Sequence, residues 1–271
     1  MTQTILITGA SSGIGKATAK HFHARGWNVV ATMRNPQDGK ELAALKNVLV
    51  TRLDVTDSAS IRDAVSTALS KFGAIDALLN NAGYGAYGPL ELFDMDRIRR
   101  QYDTNVLGLY EVTKAVIPHM RARKSGTIVN ISSIGGQITF PLGSLYHGTK
   151  FAVEGLSEAL HYEMEAVGVR VKIVEPGLIE TDFSGRSGDY VGDPSIEEYQ
   201  KVMDAMVASM QNNALPPSPP ELVAEVIWTA VTDGTGQLRY RAGEDAEYLL
   251  SNRKAADDDT YLAGVKEQFG L

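Results

Sequence analysis

No cysteine occurs among the 271 residues. Disulfides, thiolate catalysis and cysteine-ligated zinc are therefore excluded, and a reducing compartment suits the chain. Long apolar runs are also missing. None approaches the ~18 residues needed to span a membrane, and Met1 is not followed by a basic segment and an apolar one, so no secretory leader is expected. A positive excess is absent too. The chain carries 26 Lys and Arg against 33 Asp and Glu, a net charge of −7, which disfavours nucleic acid as a partner. These absences fit a cytoplasmic location. Five histidines, His21, His23, His119, His147 and His161, show no ligand spacing, so no metal is expected. His21 and His23 read as solvated helix residues. The acidic cluster Asp257-Asp258-Asp259 reads as a solvated stretch near the terminus.

What is present is alternation. Strand-like runs fall at Ile5–Thr8, Asn28–Thr32, Val48–Leu53, Ala77–Asn80, Thr127–Ser132 and Val169–Val174. Helix-like stretches separate them at Gly15–Arg25, Ser58–Phe72, Met95–Arg123 and Tyr146–Val167. Such alternation predicts an α/β fold, a doubly wound, mostly parallel sheet with helices on both faces. Hydrophobic residues at 44% supply a large core, no internal repeat is visible, and residues 1–271 read as one domain. Pro118 predicts a kink or an end within Met95–Arg123. A proline-rich connector, Leu215 to Pro220, precedes a helix from Glu221 to about Thr232. Residues from about 235 to 271 read as a C-terminal extension.

Two local patterns carry chemistry. In the first, Thr4–Thr8 runs into Gly9-Ala10-Ser11-Ser12-Gly13-Ile14-Gly15 and then into a helix that Gly26 stops. Strand, glycine-rich turn and helix place backbone N–H groups and a helix N-terminus where a pyrophosphate can sit. In the second, Tyr146 and Lys150 lie four residues apart, one turn along a helix face, with Ser133 thirteen residues upstream. A phenol ordinarily titrates near ~10. A neighbouring ammonium stabilises the phenolate and lowers that value, making a general acid/base. Neither pattern is decisive alone: a glycine-rich turn also serves as a tight connection, and tyrosine–lysine pairs occur on solvated helices.

Together the motifs make the chain resemble the short-chain dehydrogenase/reductase family in its single-domain branch, over Thr4 to about Asp182. They are Thr8-Gly9-x-x-x-Gly13-x-Gly15, Asp54-Val55, Asn80-Asn81-Ala82-Gly83, Asn105, Ser133, Tyr146-x-x-x-Lys150 and Pro176-Gly177, in the family's order. The stretches Asn81–Gly85 and Lys150–Leu156 look most like the 17β-hydroxysteroid dehydrogenase-like subgroup. One departure is Gly148-Thr149, where the family usually has Ala-Ser; threonine keeps a hydroxyl. The resemblance implies a Rossmann-type fold and a nicotinamide dinucleotide held by Gly9, Ser11, Ser12, Gly13, Ile14 and Gly15. It implies that Asp54 bonds the adenine amino group, that Val55 covers the ring, and that Asn81, Ala82 and Gly83 line the ribose and support the sheet edge. Pro176-Gly177 would approach the nicotinamide, with Thr181 near its carboxamide.

The second strand ends in Thr32-Met33-Arg34 with no carboxylate. Arg34 suits a 2′-phosphate and Ser12 adds a hydroxyl, so NADP(H) is expected over NAD(H), which stays open as the alternative. The resemblance implies hydride transfer from NADPH to a carbonyl carbon. Tyr146 gives the proton, Lys150 lowers the Tyr146 pKa and holds the ribose, Ser133 bonds the carbonyl oxygen, and Asn105 holds a water. The segment from about Ile179 to Leu215, with Phe183, Tyr190, Tyr199, Met203, Met206 and Met210, is expected to cover the substrate; Phe140-Pro141-Leu142, Tyr84 and Tyr87 would add walls. The expected substrate is a small-molecule carbonyl or alcohol, bulky and apolar, and pairing through the two long helices would give a homodimer or homotetramer. A catalytically silent nucleotide-binding protein is the alternative from another class. It is disfavoured because Asn105, Ser133, Tyr146 and Lys150 are all present.

Overall fold

Alternation along each strand builds two cores. In the computed structural model, which describes residues 2–211 and 216–271, Ile5 and Ile7 face one side of the sheet and Leu6 the other. Val29 and Ala31 oppose Val30 in the same manner, as a period of two requires. In chain order the principal elements are β1 (Thr4–Ile7), α1 (Gly13–Ala24), β2 (Asn28–Met33), α2 (Lys40–Ala43), β3 (Val48–Arg52), α3 (Ser58–Phe72), β4 (Ala77–Asn80), β5 (Gly85–Tyr87), α4 (Met95–Tyr102), α5 (Gly108–Arg123), β6 (Thr127–Ile131), α6 (Ser144–Glu165), β7 (Arg170–Pro176), α7 (Phe183–Arg186), β8 (Gly188–Tyr190), α8 (Glu197–Gln211), α9 (Pro220–Thr232), β9 (Arg239–Ala242), α10 (Glu244–Ala255) and α11 (Asp258–Gln268).

Seven parallel strands lie in the order β3-β2-β1-β4-β6-β7-β9. The order reverses between β1 and β4, which opens a crevice beyond their carboxyl ends. On one face α1 packs against α9. The buried Phe22 lies 5.1 Å from Trp27 and 5.0 Å from Trp228, centroid to centroid, both edge-on. On the other face Ile61, Val65, Val112, Val116, Met120 and Met164 cover the sheet. Asp57 caps α3, its Oδ1 accepting from the Ala59 and Ser60 N–H groups at 3.0 and 3.1 Å.

Several sequence expectations need correction. The stretch Met95–Arg123 is not one helix. A single π turn, Asp103–Leu107, separates α4 from α5, and α5 runs through Pro118 to Arg123. The C-terminal extension is part of the main fold: β9 is the seventh strand. Its sequence, Arg-Tyr-Arg-Ala, alternates half-buried charge with buried Tyr240 and Ala242 and carries no apolar run to announce it. Buried Lys172 anchors the preceding loop, donating to Thr235 O, Gln237 O and Tyr240 Oη at 2.7, 2.7 and 2.9 Å. His21 is not solvated. Its side chain is 12% exposed, packs 6.0 Å from Trp228, and has its pKa lowered by burial. Asp257 is more than solvated charge, since it caps α11 through the Thr260 N–H at 2.8 Å. The last residues of the covering segment, 212–215, and the side chain of Met210 lie outside the described residues.

Candidate active site

The glycine turn is shaped by close approach. Gly9 and Gly13 have φ of +69° and +50°, where glycine is favoured. A Cβ on Gly15 would fall 2.6 Å from Asn81 Nδ2 and onto Gly9 O. Asn81 braces the turn, Nδ2 donating to Thr8 O at 2.9 Å and Gly9 O at 3.1 Å. Thr8 Oγ1 accepts from the Asn81 and Ala82 N–H groups at 2.9 and 3.0 Å. Asn81 and Ala82 thus brace the sheet edge, and a Cβ on Gly83 would crowd Asn105. The α1 N-terminus has no acidic residue in its first turn, and the extended Ser12 makes no capping bond with its hydroxyl. Ser11, Ser12 and Ile14 are partly exposed. An anion fits this cradle of free N–H groups.

Arg34 follows β2 directly, is exposed, and forms no ion pair among the described residues. The bond from Ala10 N–H to Thr32 O, 2.9 Å, ties the glycine turn to that same strand end. Asp54 Oδ1 is occupied by the Thr56 N–H and hydroxyl at 3.0 and 2.8 Å. Val55 is buried and packs on Gly108, whose added Cβ would fall 2.7 Å away. Its side chain is part of the apolar cluster on that face of the sheet. Thr181 reaches the glycine turn: a Cβ on Gly13 would lie 3.2 Å from Thr181 Cγ2.

Across the crevice, Ser133 opens the short turn Ile134–Gly136, its Oγ accepting from the Gly135 N–H at 3.0 Å. The turn also meets Tyr146, whose ring carbon lies 3.1 Å from a Cβ built on Gly135. Lys150 Nζ lies 5.7 Å from the Tyr146 ring centroid and donates to Ile131 O at 2.9 Å. Burial pushes the Tyr146 pKa above its ordinary value, and Ser133 draws it partly back. In this arrangement the Lys150 ammonium is held on a β6 carbonyl. Burial in turn lowers Lys150 to about 8, against support from the Glu154 carboxylate. Buried His147 is not a free base. Its Nε2 accepts from the Phe140 N–H at 3.0 Å, and its Nδ1 lies 2.9 Å from Gly135 O, which fits a proton on Nδ1.

Asn105 sits in the π turn, a feature often found at functional sites. Its Oδ1 accepts from the Tyr84 N–H at 3.0 Å, and Nδ2 donates to Tyr84 O at 2.8 Å and Thr149 Oγ1 at 3.1 Å. Thr149 Oγ1 donates to Tyr146 O at 2.8 Å. The departure Gly148-Thr149 thus has two physical reasons. Thr149 joins Asn105 to the tyrosine's helix, and a Cβ on Gly148 would strike Tyr102 Oη at 2.5 Å.

The cover is built of aromatics and charge. β5 pairs with β8 in a second, two-stranded parallel sheet. This sets Tyr87 5.4 Å from Tyr146 and 5.8 Å from Tyr190, and Phe183 stands 6.1 Å from Tyr146. Asp189 on β8 is gripped by Arg97 and by Arg100 at 2.7 Å. Tyr84 lies under Arg100, while Phe140 packs towards Phe269 at 6.2 Å. Met203 packs against Gly192. Asp245 is a site residue that the sequence reading missed. Buried on α10, it accepts from the Leu178 N–H at 2.6 Å, and a Cβ on Gly177 would overlap its carboxylate. It lies 67 residues from Leu178, too far apart in sequence for spacing to connect them. Among the described residues no group of three His, Asp or Glu side chains is placed to hold a metal, and no helix is long and apolar enough to cross a membrane.

The short chain dehydrogenase family model matches residues 3–190. An uncharacterized oxidoreductase of Schizosaccharomyces pombe is 45% identical over 88% of this chain and 100% of its own. A 3-ketodihydrosphingosine reductase of Bacteroides thetaiotaomicron is 43% identical over 67% and 66% of the two chains. Among solved structures, a short-chain dehydrogenase from Streptomyces avermitilis superposes with a TM-score of 0.84 at 33% identity, covering 98% of this chain and 96% of that one. ElxO with NADP bound gives a TM-score of 0.76 at 28% identity, covering 92% of this chain and 100% of that one. The chain belongs to the short-chain dehydrogenase family. It is an oxidoreductase.

Proposed function

We propose that the crevice binds NADP(H) and that the protein interconverts a ketone or aldehyde with an alcohol. The observation that carries this reading is the meeting of Ser133, Tyr146 and Lys150 at the sheet edge shared with the glycine cradle. When bound, the reduced nicotinamide supplies the hydride. Tyr146 gives its phenolic proton to the carbonyl oxygen. Ser133 Oγ already accepts from the Gly135 N–H, which leaves its own hydrogen for that oxygen as negative charge develops. Lys150, leaving Ile131 O, holds the cofactor ribose and lowers the Tyr146 pKa. Both Asn105 amide hydrogens bond protein acceptors, so a water at Asn105 would donate to one of its oxygens. The glycine turn with Ser11, Ser12 and Ile14 takes the pyrophosphate, Arg34 and Ser12 take the 2′-phosphate, Asp54 takes the adenine amino group, and Thr181 stands near the carboxamide beyond Pro176-Gly177.

The apolar cover of Tyr87, Tyr190 and Phe183 supports a bulky, mostly apolar substrate. The Bacteroides relative, named for reduction of a long-chain ketone, agrees with that class. Steroid-like substrates rest on the subgroup resemblance alone. Exposed Leu107, Tyr110, Phe151 and Tyr162 around α5 and α6 support pairing of two copies there, and a monomer in sedimentation at micromolar concentration would contradict it. The deciding experiment is Tyr146→Phe. Loss of turnover by about 10²–10⁴-fold with dinucleotide binding retained is the expected result. Undiminished carbonyl reduction in that variant would sink the assignment.

A further inference from the structure

Beneath Ser133 and Gly177 lie two buried carboxyls for which the reaction above has no use. Glu154 on α6 is 6% exposed and Glu175 on β7 is 1% exposed, and both face the guanidinium of Arg239. Glu154 Oε1 and Glu175 Oε2 have no hydrogen-bond partner among the described residues. A carboxylate only accepts, and one guanidinium does not balance two buried ones, so a proton on one of the two relieves the excess charge. The surrounding charge agrees. From β9, Arg239 Nε stands 3.0 Å from Glu154 Oε2 and 3.7 Å from Glu175 Oε1, while its outer nitrogen reaches Glu158 on α6 at 2.6 Å. One guanidinium thus faces three carboxyls. Arg241, also on β9, is committed to Glu247 of α10 at 3.0 Å. Lys172 of β7 is turned to the Asp233 loop, and Asp245 of α10 holds Leu178.

The pair touches the elements that present Ser133, Tyr146 and Lys150. Glu154 lies one turn from Lys150 on the same helix face. Gln137, closing the turn that Ser133 opens, donates to Glu175 Oε1. A Cβ on Gly136 would fall 2.5 Å from Ser132 Oγ and 2.9 Å from Glu154 Cγ, so that turn rests directly on the pair. Glu175 immediately precedes Pro176-Gly177.

We propose that Glu154 and Glu175 share a single proton and act as a positioning pair that keeps Lys150 and the Ser133 turn in place. Its kinetic consequence rests on the reductase reading; its titration does not. Burial raises both carboxyls, and the charge of Glu154 helps to bring Glu175 to about 7. A raised carboxyl binds more protons folded than unfolded, so its contribution is lost as pH rises from the ordinary glutamate range to about 7. Above that, two anions oppose each other around one guanidinium and the wall loosens.

The test compares wild type, Glu175→Gln, Glu154→Gln and Glu154→Asp. Glu175→Gln replaces the shared proton with an amide N–H that does not titrate. Its melting temperature should gain several degrees on wild type between pH ~4.5 and ~8. Glu154→Gln leaves the remaining anion on Glu175, farther from Lys150. The alkaline limb of kcat should then move down by about half a pH unit or more with little change in KM, and Glu154→Asp should restore it. Parallel unfolding curves for wild type and Glu175→Gln would overturn the shared proton. An unmoved alkaline limb in Glu154→Gln would leave the pair merely structural and overturn its positioning role. A wild type that reduces no carbonyl would count against the reductase reading, and the unfolding curves would still decide the proton.

Discussion

The sheet edge that carries Gly9 to Gly15 and the edge beneath Ser133 and Gly177 are fastened by opposite means. At the first, neutral groups close on backbone: Asn81 and Thr8 make five bonds, counting Thr8 Oγ1 to Leu79 O at 3.3 Å. At the second, the work falls to buried ionisable groups, Glu154, Glu175 and Asp245, with Arg239 beside them. Neutral bonds hold at any pH, whereas ionic ones depend on which partner keeps its proton. The dinucleotide edge should therefore behave as a fixed cradle, and the reacting edge should respond to solution conditions.

The largest loss should come from the layer under the cradle. Phe22→Ala removes a fully buried ring from between Trp27 and Trp228. It should cost about 3–5 kcal/mol in denaturant unfolding and unseat α1 from α9. Asn81→Ala strips the brace from the glycine turn and should cost about 1–3 kcal/mol. Dinucleotide affinity measured by fluorescence titration should fall equally at pH 6 and pH 9, which separates this edge from the other. Arg34→Ala sharpens the cofactor assignment: KM for NADPH should rise about tenfold to a hundredfold while NADH is little affected. Equal effects on both cofactors would remove Arg34 from the phosphate site. At the reacting edge, the depressed Lys150 keeps its charge below about 8, so dinucleotide affinity should weaken as pH rises through that value. An affinity flat to pH 10 would place Lys150 away from the ribose. Smallest of all, Arg99→Ala breaks an exposed pair with Asp96 at 3.1 Å and should shift stability by less than ~0.5 kcal/mol.

The same contrast explains what could be read from the sequence. The cradle is local. Thr8, Gly9, Gly13 and Gly15 stand in one turn, and Asn81 announces itself within Asn80–Gly83, so spacing and family resemblance together reached them. Ser133, Tyr146 and Lys150 were legible for the same reason. Asp245 and Arg239 were not, because each acts on residues more than sixty positions away and belongs to a segment with no apolar periodicity. The setting of His21 is hidden in the sequence for a related cause: whether a side chain faces solvent or the core depends on Trp228, which only folding brings near. Thr149 was seen as a tolerable substitution, and its two hydrogen bonds show why a hydroxyl is wanted there.

The π turn at Asp103–Leu107 has a mechanical consequence. One extra residue in a helical rod advances the side-chain wheel by about 100°. It therefore works as a phase shifter, letting α4 address α6 while α5, almost collinear in sequence, addresses α3 and β4. Removing a single residue there would tighten the rod into ordinary winding and turn one of its halves away from its neighbour, so the length of this stretch is as much a part of the site as the identity of Asn105.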